Sequence, residues 1–310
     1  MSIPKCPLPF IGNKSKFVKE ILKYKDELEK RINEDTIIID VFGGSGILAK
    51  TFKKMFPDNM VIYNDYDDFH TLFNKDFETK INAWLEDVRK ITNTYPDKSS
   101  KINEKDCEKI HNLIIEHFGP IEEIDFKILR IIMSNIEFQG VNNLKNNKIR
   151  KSLYNRVRKH NYEIDEHYYD DLIIEKLDYK ELINKYESMN DNLFLIMDPP
   201  YLSTNAKYYN NDKYFNLKDL SNIIKLLKKY NCLFFEGSKS DIYGLFEILK
   251  EEGVVDYDLL ATKKQLNNKK ELNESMWLFK PIEEKAPANS IMKVGFKLIS
   301  CILFLCMLSV

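Results

Sequence analysis

Glycine and proline are scarce in this chain of 310 residues, ten of each, which excludes collagen-like and elastic repeats. Charge of one sign is also missing. Lys+Arg number 47 against 48 Asp+Glu, a net charge of -1. The chain is therefore not a uniformly basic nucleic-acid binder, and any such surface must be a local patch. Cysteines are few: Cys6, Cys107, Cys232, Cys301 and Cys306. Their odd number and the lack of a C-x-x-C pair exclude a disulfide framework and a zinc site, so no metal is expected and a reducing, cytoplasmic compartment is. Residues 1–20 hold lysines and prolines but no apolar run, so no secretory signal is expected. One long apolar run exists, Leu298–Val310. It falls short of the roughly 20 residues a membrane span needs. It reads as a helix packed on the body or as an extension with no role. Hydrophobic residues at 44% and charged ones at 31% supply a packed core and exclude disorder throughout.

The first local pattern is strand, tight turn, helix. Thr36–Phe42 is a short β-branched apolar run, as a buried parallel strand should be. Gly43-Gly44-Ser45-Gly46 breaks it, and Leu48, Phe52, Met55 and Phe56 follow at helical spacing. Val61-Ile62-Tyr63 reads as a second strand ending at Asn64-Asp65, which makes a βαβ unit. From about Asp67 to Tyr169 helical patterns take over, over 72–91, 107–118 and 126–136. Strand patterns return at Leu172–Ile174, Leu193–Met197, Leu233–Phe235 and Met276–Phe279, separated by helical patterns over 217–230 and 243–252. The sequence thus predicts an α/β sheet interrupted by a helical insert.

Two constellations carry chemistry. Glycines after a first strand let a ligand approach the backbone where the next helix opens. The loop Asp40-Val-Phe42-Gly43-Gly44-Ser-Gly46 departs from the G-x-G-x-x-G dinucleotide pattern and lacks the Gly-Lys-Ser/Thr of a phosphate loop. By itself it could be a plain turn. Asp65, about 20 residues on and at the end of the second strand, is where a carboxylate accepts the hydroxyls of a ribose. A nucleoside-bearing cofactor without a pyrophosphate is the favoured reading. The second constellation is Asp198-Pro199-Pro200-Tyr201, directly after an apolar strand. Ligands of open α/β sheets bind beyond the carboxyl ends of strands. Two prolines cannot continue a sheet ladder, so they fix a rigid turn there. A carboxylate and a proline carbonyl can accept both hydrogens of an aromatic amino group, and Tyr201 offers a face for stacking. The bland alternative is a proline-rich turn bearing a surface acid.

With these blocks the chain resembles the DNA adenine methylase (Dam-like) family of amino-methylating enzymes. The blocks occur in the family's order: Pro9-Phe10-Ile-Gly12-Asn-Lys14, then Asp40–Gly46 with Asn64-Asp65, then Asp198–Tyr201, then Glu271–Pro281. The resemblance implies a class I (Rossmann-like) methyltransferase sheet with an inserted helical DNA-recognition domain. It divides the chain into a discontinuous catalytic domain at 1–72 and 171–282, an insert at 73–170, and a hydrophobic tail at 283–310. It implies S-adenosyl-L-methionine as methyl donor, contacted by Phe10, Gly12, Lys14, Asp40, Phe42, Gly43, Gly44, Gly46, Asp65, Asp178, Tyr179 and Asp198. Lys14 could equally be solvated, and Asp178 a helix cap before Tyr179. The catalytic set implied is Asp198, Pro199, Pro200 and Tyr201.

The partner implied is double-stranded DNA, and a companion restriction endonuclease is a further partner such an activity allows. Lys148, Arg150, Lys151, Arg156, Arg158 and Lys159 lie in a stretch without acids that would attract duplex DNA through counterion release; a solvated helix face is the bland reading. The Asn-Gly-x-x-Arg type blocks of GATC-specific enzymes are absent, so adenine methylation is expected without that recognition site. Rival readings are an amino-methyltransferase for another base or RNA, and a non-catalytic nucleic-acid-binding relic. Asp rather than Ser or Asn before Pro-Pro-Tyr argues against cytosine and glutamine as targets, and the intact motif argues against a relic.

Overall fold

The computed structural model describes residues 4–10, 12–95, 102–136, 157–200, 216–237, 242–267 and 270–282. The apolar tail, Tyr201 and most of the basic stretch lie outside them. Seven strands form one sheet: β1 Ile37–Asp40, β2 Val61–Asn64, β3 Ile173–Glu175, β4 Leu193–Met197, β5 Asn231–Gly237, β6 Asp256–Asn267 and β7 Lys270–Lys280. Their order is β3-β2-β1-β4-β5-β7-β6. All pairs are parallel except those made by β7, which runs antiparallel to β5 and β6. The chain leaves β1 toward β2 on one side, while β4 pairs with β1 on the other. The crevice between the carboxyl ends of β1 and β4 is the switch point at which such sheets bind ligands.

Side-chain alternation along the strands builds two cores. Ile38, Tyr63, Phe194, Ile196, Phe235 and Met276 face one side; Ile39, Ile62, Leu195, Met197, Phe234 and Trp277 face the other. The second face is covered by α7 (Tyr179–Glu187), α8 (Leu217–Lys229) and α9 (Ile242–Glu251), through Leu182, Ile223 and Phe246. The first is covered by α1 (Val18–Lys23), α2 (Lys25–Glu29) and α3 (Ile47–Met55), through Val18, Leu28 and Phe52. The expected helical stretch between β2 and β3 forms α4 (Lys75–Thr92), α5 (Glu104–Phe118) and α6 (Phe126–Ile136). α4 and α5 pack through Ile81, Trp84, Leu85 and Val88 against Ile110 and Ile114, spacings that place each set on one helical stripe. Their side chains belong to the same continuous apolar cluster as the first sheet face. The chain returning to β3 is tied along α4. Asn82 exchanges two hydrogen bonds with the Tyr162 backbone, and Arg89 donates to the Lys159 carbonyl at 2.9 Å.

Strand β6 is not anticipated by the sequence. The run Val254–Leu260 reads as apolar only in part, Lys263 breaks its alternation, and a register shift between Leu259 and Ala261 moves side chains to the other face. Strand β3 is an edge strand with Ile173 41% exposed.

Asn64, 3% exposed, fastens the carboxyl ends of the strands together. Its amide nitrogen donates to the carbonyls of Val41 and Leu177, and its amide oxygen accepts from the Leu177 N–H, each at 3.0 Å. Replacing Asn64 by Ala leaves those backbone groups without these partners, which should cost about 1–3 kcal/mol. The midpoint of urea unfolding measures this; a shift worth less than about 0.5 kcal/mol, the scatter of neutral surface changes, would show that water takes over the role.

Candidate active site

The site forms where the N-terminal segment, the loop after β1, the end of β2, the end of β4 and strand β7 converge. Gly43, Gly44 and Gly46 shape the loop after β1. Gly46 has φ 68° and lies so close under Tyr169 that a Cβ would stand 2.5 Å from the ring; only glycine meets both demands. Two tyrosines hold this loop from beneath. The Tyr63 hydroxyl donates to the Gly44 carbonyl at 2.9 Å and the Tyr169 hydroxyl to the Ser45 carbonyl at 3.0 Å. Their rings stack with centroids 5.0 Å apart. Burial pushes both phenols well above their usual range, so they remain proton donors.

Asp40, 1% exposed, ends β1. Its Oδ2 accepts from the Ala49 N–H at 3.1 Å, in the first turn of α3. Amides in a first helical turn lack intrahelical acceptors, and a carboxylate there also faces the positive end of the helix. The aspartate therefore locks the glycine loop onto its helix. Phe10 stands against the loop, since a Cβ on Gly44 would lie 3.2 Å from its ring. The Phe10 ring packs on Phe69 at 5.0 Å and under the Arg130 guanidinium at 4.5 Å. Arg130 comes from α6 and pairs with Asp67 at 2.9 Å. Arg130 thus brings the helical stretch to the wall of the candidate cofactor site, and no local pattern reveals that contact or the pairing with Asp67 across 63 residues.

Asp65, 1% exposed, sits at the end of β2. Its Oδ1 accepts from the Phe69 N–H at 2.8 Å; its Oδ2 accepts from the His70 N–H at 2.7 Å and lies 2.6 Å from His70 Nδ1. The carboxylate shapes the turn after β2 as well as standing where a ribose is expected. Asp178 is the N-cap of α7, its Oδ1 accepting from the Lys180 N–H at 3.0 Å. Tyr179 donates to Asp219 at 3.0 Å, and its ring lies 5.7 Å from that of the half-buried Phe42.

Asp198 follows β4 with its side chain 24% exposed, and Pro199 behind it is buried. The sequence groups Lys14 with cofactor contacts. In the structure its ammonium, 4% exposed, lies between two carboxylates. It is bonded to Asp198 Oδ2 and stands 3.1 Å from Glu274 Oε1 on β7; it also donates to the Gly12 carbonyl at 2.9 Å. Lys16 binds the other oxygen of Glu274. Burial opposes the charge on Lys14, but the two carboxylates outweigh it and raise its pKa above the usual value. Burial likewise raises the Asp198 carboxyl, against the pull of Lys14.

Glu274 and Asn64 lie in blocks the sequence already marks, but without a role; alternation along the final strand would have placed Glu274 on the face of Met276. Arg158 packs over the Tyr162 ring at 4.2 Å, with its Nε donating to the His160 carbonyl, and Lys159 is exposed. Lys148, Arg150, Lys151, Arg156 and Tyr201 lie outside the described residues. Among the described residues no cluster could hold a metal ion, and no helix is long and apolar enough to cross a membrane.

The switch-point crevice, with a glycine loop after β1 and Asp198-Pro-Pro after β4, defines a Rossmann-like methyltransferase. Comparison with known sequences narrows the class. Residues 10–265 match the D12 class N6 adenine-specific DNA methyltransferase family, and the chain belongs to it. It is an adenine-specific DNA methyltransferase. A Haemophilus influenzae protein named "Putative methyltransferase" is 31% identical over 251 residues, covering 79% of this chain and 80% of that protein. "Modification methylase LlaI" of Lactococcus lactis subsp. lactis is 24% identical over 265 residues, covering 83% of this chain but 39% of the longer protein.

Asp40 gives a pH test. Burial lifts its carboxyl well above the usual carboxylate range, the Ala49 bond opposes this, and Asp198 adds to the rise. A folded-state value above the unfolded one means that the stability held at low pH is lost as pH rises through the folded value. Asp40→Asn carries no charge to bury. The melting temperature of Asp40→Asn relative to wild type should therefore increase steadily from acid to mildly alkaline pH. A flat or falling difference would show that the carboxylate is ionised without cost.

Proposed function

We propose that the methyl donor is S-adenosyl-L-methionine, held across the Gly43–Gly46 loop, and that Asp198 and the Pro199 carbonyl receive the adenine amino group. The observation that carries this reading is the position of Asp198, beside the glycine loop across the β1/β4 switch point. The residues present fit such a donor. The Phe10 ring stands close against the loop, 3.2 Å from where a Cβ on Gly44 would lie, Asp65 stands at the end of β2, and Asp178-Tyr179 opens α7 beside Phe42. When bound, the donor would supply an electrophilic sulfonium methyl.

The protein's part is positioning. An aromatic amine is a poor nucleophile because its lone pair is delocalised into the ring. Acceptance of its two hydrogens by Asp198 and the Pro199 carbonyl localises that pair and aims it, and Tyr201 provides a stacking face for the ring. Fixed geometry of this kind replaces much of the entropic cost of bringing reactants together. Adenine in a duplex cannot reach Asp198 while stacked, so the base must leave the helix. The basic stretch ending in Arg158 and Lys159 is the DNA-facing part of a recognition unit spanning residues 73–170. The Lactococcus relative's name, a modification methylase, supports a role in DNA modification, an activity that allows a restriction endonuclease as companion.

Asp198→Ala should lower the methylation rate of plasmid DNA by roughly a hundredfold or more, the usual effect of removing one preorganised polar contact at a reacting group. Incorporation of labelled methyl from S-adenosyl-L-methionine measures it, with circular dichroism as the check on folding. A folded Asp198→Ala protein with wild-type turnover would sink the assignment.

The DNA-facing role has its own readout. Changing Arg156, Arg158 and Lys159 to Ala should flatten the dependence of log affinity on log salt by about 0.9 for each phosphate contact removed. Fluorescence-anisotropy titrations at several salt concentrations supply the slopes. An unchanged slope and affinity would mean that the stretch is a solvated face.

A further inference from the structure

Glu274 belongs to the charged cluster at Asp198, and the methylation reading gives it no role. It reaches the site from β7, on the face of the sheet shared by Met276 and Phe235. Its two oxygens meet two cations, Lys14 at 3.1 Å and Lys16. Its side chain is 15% exposed, Lys14 is 4% exposed and Asp198 24%. Lys14 and Lys16 against Asp198 and Glu274 make the cluster neutral. Asp40 on β1 is the further acid that interacts with Asp198. Glu236 on β5 lies opposite Ser275, so alternation sends it to the other face.

A buried ammonium must keep a counter-charge, because an unpaired ion in such a place is far too costly. This creates a conflict at the site. Asp198 has to accept the hydrogens of a neutral amino group, yet in the structure its Oδ2 is bonded to Lys14. A carboxylate that neutralises an ammonium is a weaker acceptor for anything else. Glu274 resolves the conflict, because Lys14 already touches it and can stay charged and buried while loosening its hold on Asp198. We propose that Glu274 is a positioning residue for methyl transfer: as the second counter-ion of Lys14, it leaves Asp198 able to accept the target amino group. This rests on Asp198 being that acceptor.

Lys16 sets the opposite bias. It draws charge from Glu274 and so leaves Lys14 more firmly on Asp198. Removing Glu274 should therefore tighten the Lys14–Asp198 pair, and removing Lys16 should loosen it. Both changes also act on the Asp198 carboxyl in known directions, since Glu274 raises its pKa and Lys16 lowers it.

The test is the pH dependence of single-turnover methylation of plasmid DNA by the full chain, for wild type, Glu274→Gln, Glu274→Asp and Lys16→Met. Glu274→Gln should lose roughly tenfold or more in plateau rate, within the range seen when one preorganised contact is weakened. Its affinity for S-adenosyl-L-methionine, read by calorimetry, should stay within about twofold, because ground-state cofactor binding is not what Glu274 supplies. The acid limb of the profile should move to lower pH, and Glu274→Asp should recover much of the rate. A general packing defect would lower the rate without moving the limb. Lys16→Met replaces a side chain that is 35% exposed and so covers the case in which Glu274→Gln does not fold; it should move the limb to higher pH. Unmoved limbs in Lys16→Met and in any folded Glu274→Gln overturn the proposal. The parent reading fails separately, if Asp198→Ala retains turnover. An inactive Asp198→Ala beside unmoved limbs removes the role of Glu274 alone.

Discussion

One ammonium group joins the pieces of this candidate site. Lys14 reaches from the N-terminal segment to Asp198 at the end of β4 and Glu274 on β7, and its ammonium bonds the Gly12 carbonyl as well. Among its described residues the segment before α1 has no strand or long helix to hold it, so this ion cluster and the burial of Leu8 and Phe17 fix its path. That path places Phe10 against the glycine loop. A buried ammonium with no counter-ion would cost several kcal/mol, about 3–5 in measured cases, but Lys14 has two carboxylate partners and keeps one when it loosens the other. The cluster therefore constrains the geometry more than it adds to stability.

The other walls of the site are held by neutral groups. Asn64 ties the end of β1 to the segment that presents Asp178, and Tyr63 and Tyr169 carry the glycine loop on their hydroxyls. Tyr169 belongs to the chain returning from the helical stretch, and Arg130 to α6 within it. Both touch the candidate site, Tyr169 at the glycine loop and Arg130 at Phe10. The helices between β2 and β3 thus share the apolar core of the sheet and also brace the loop and the Phe10 wall.

Much of the frame is legible from local pattern. The short β-branched runs at β1 and β4, the glycines at 43, 44 and 46, and the helical stripes of α4 and α5 each follow from periodicity and turn chemistry. So does the reading of Asp178 as a cap, because the capping interaction spans only two residues. Strand β6 escapes because its register shift and its charged residues break the alternation that marks a strand. Lys14 is legible as a site residue but not in its pairing with Asp198, which spans 184 positions.

The sequence by itself determined the α/β class, the glycine turn after β1, the acid-proline-proline turn beyond β4, and with them the class of chemistry. Those features depend on neighbours in the chain, where backbone geometry and side-chain period are fixed by a few adjacent residues. Only the tertiary structure decided which charges meet. It brought Glu274 to Lys14, turned both oxygens of Asp65 toward Phe69 and His70, and set Arg130 over Phe10. Such contacts arise from burial, since an ion or amide removed from water must find a partner among whatever groups packing brings near, and sequence spacing does not encode that choice.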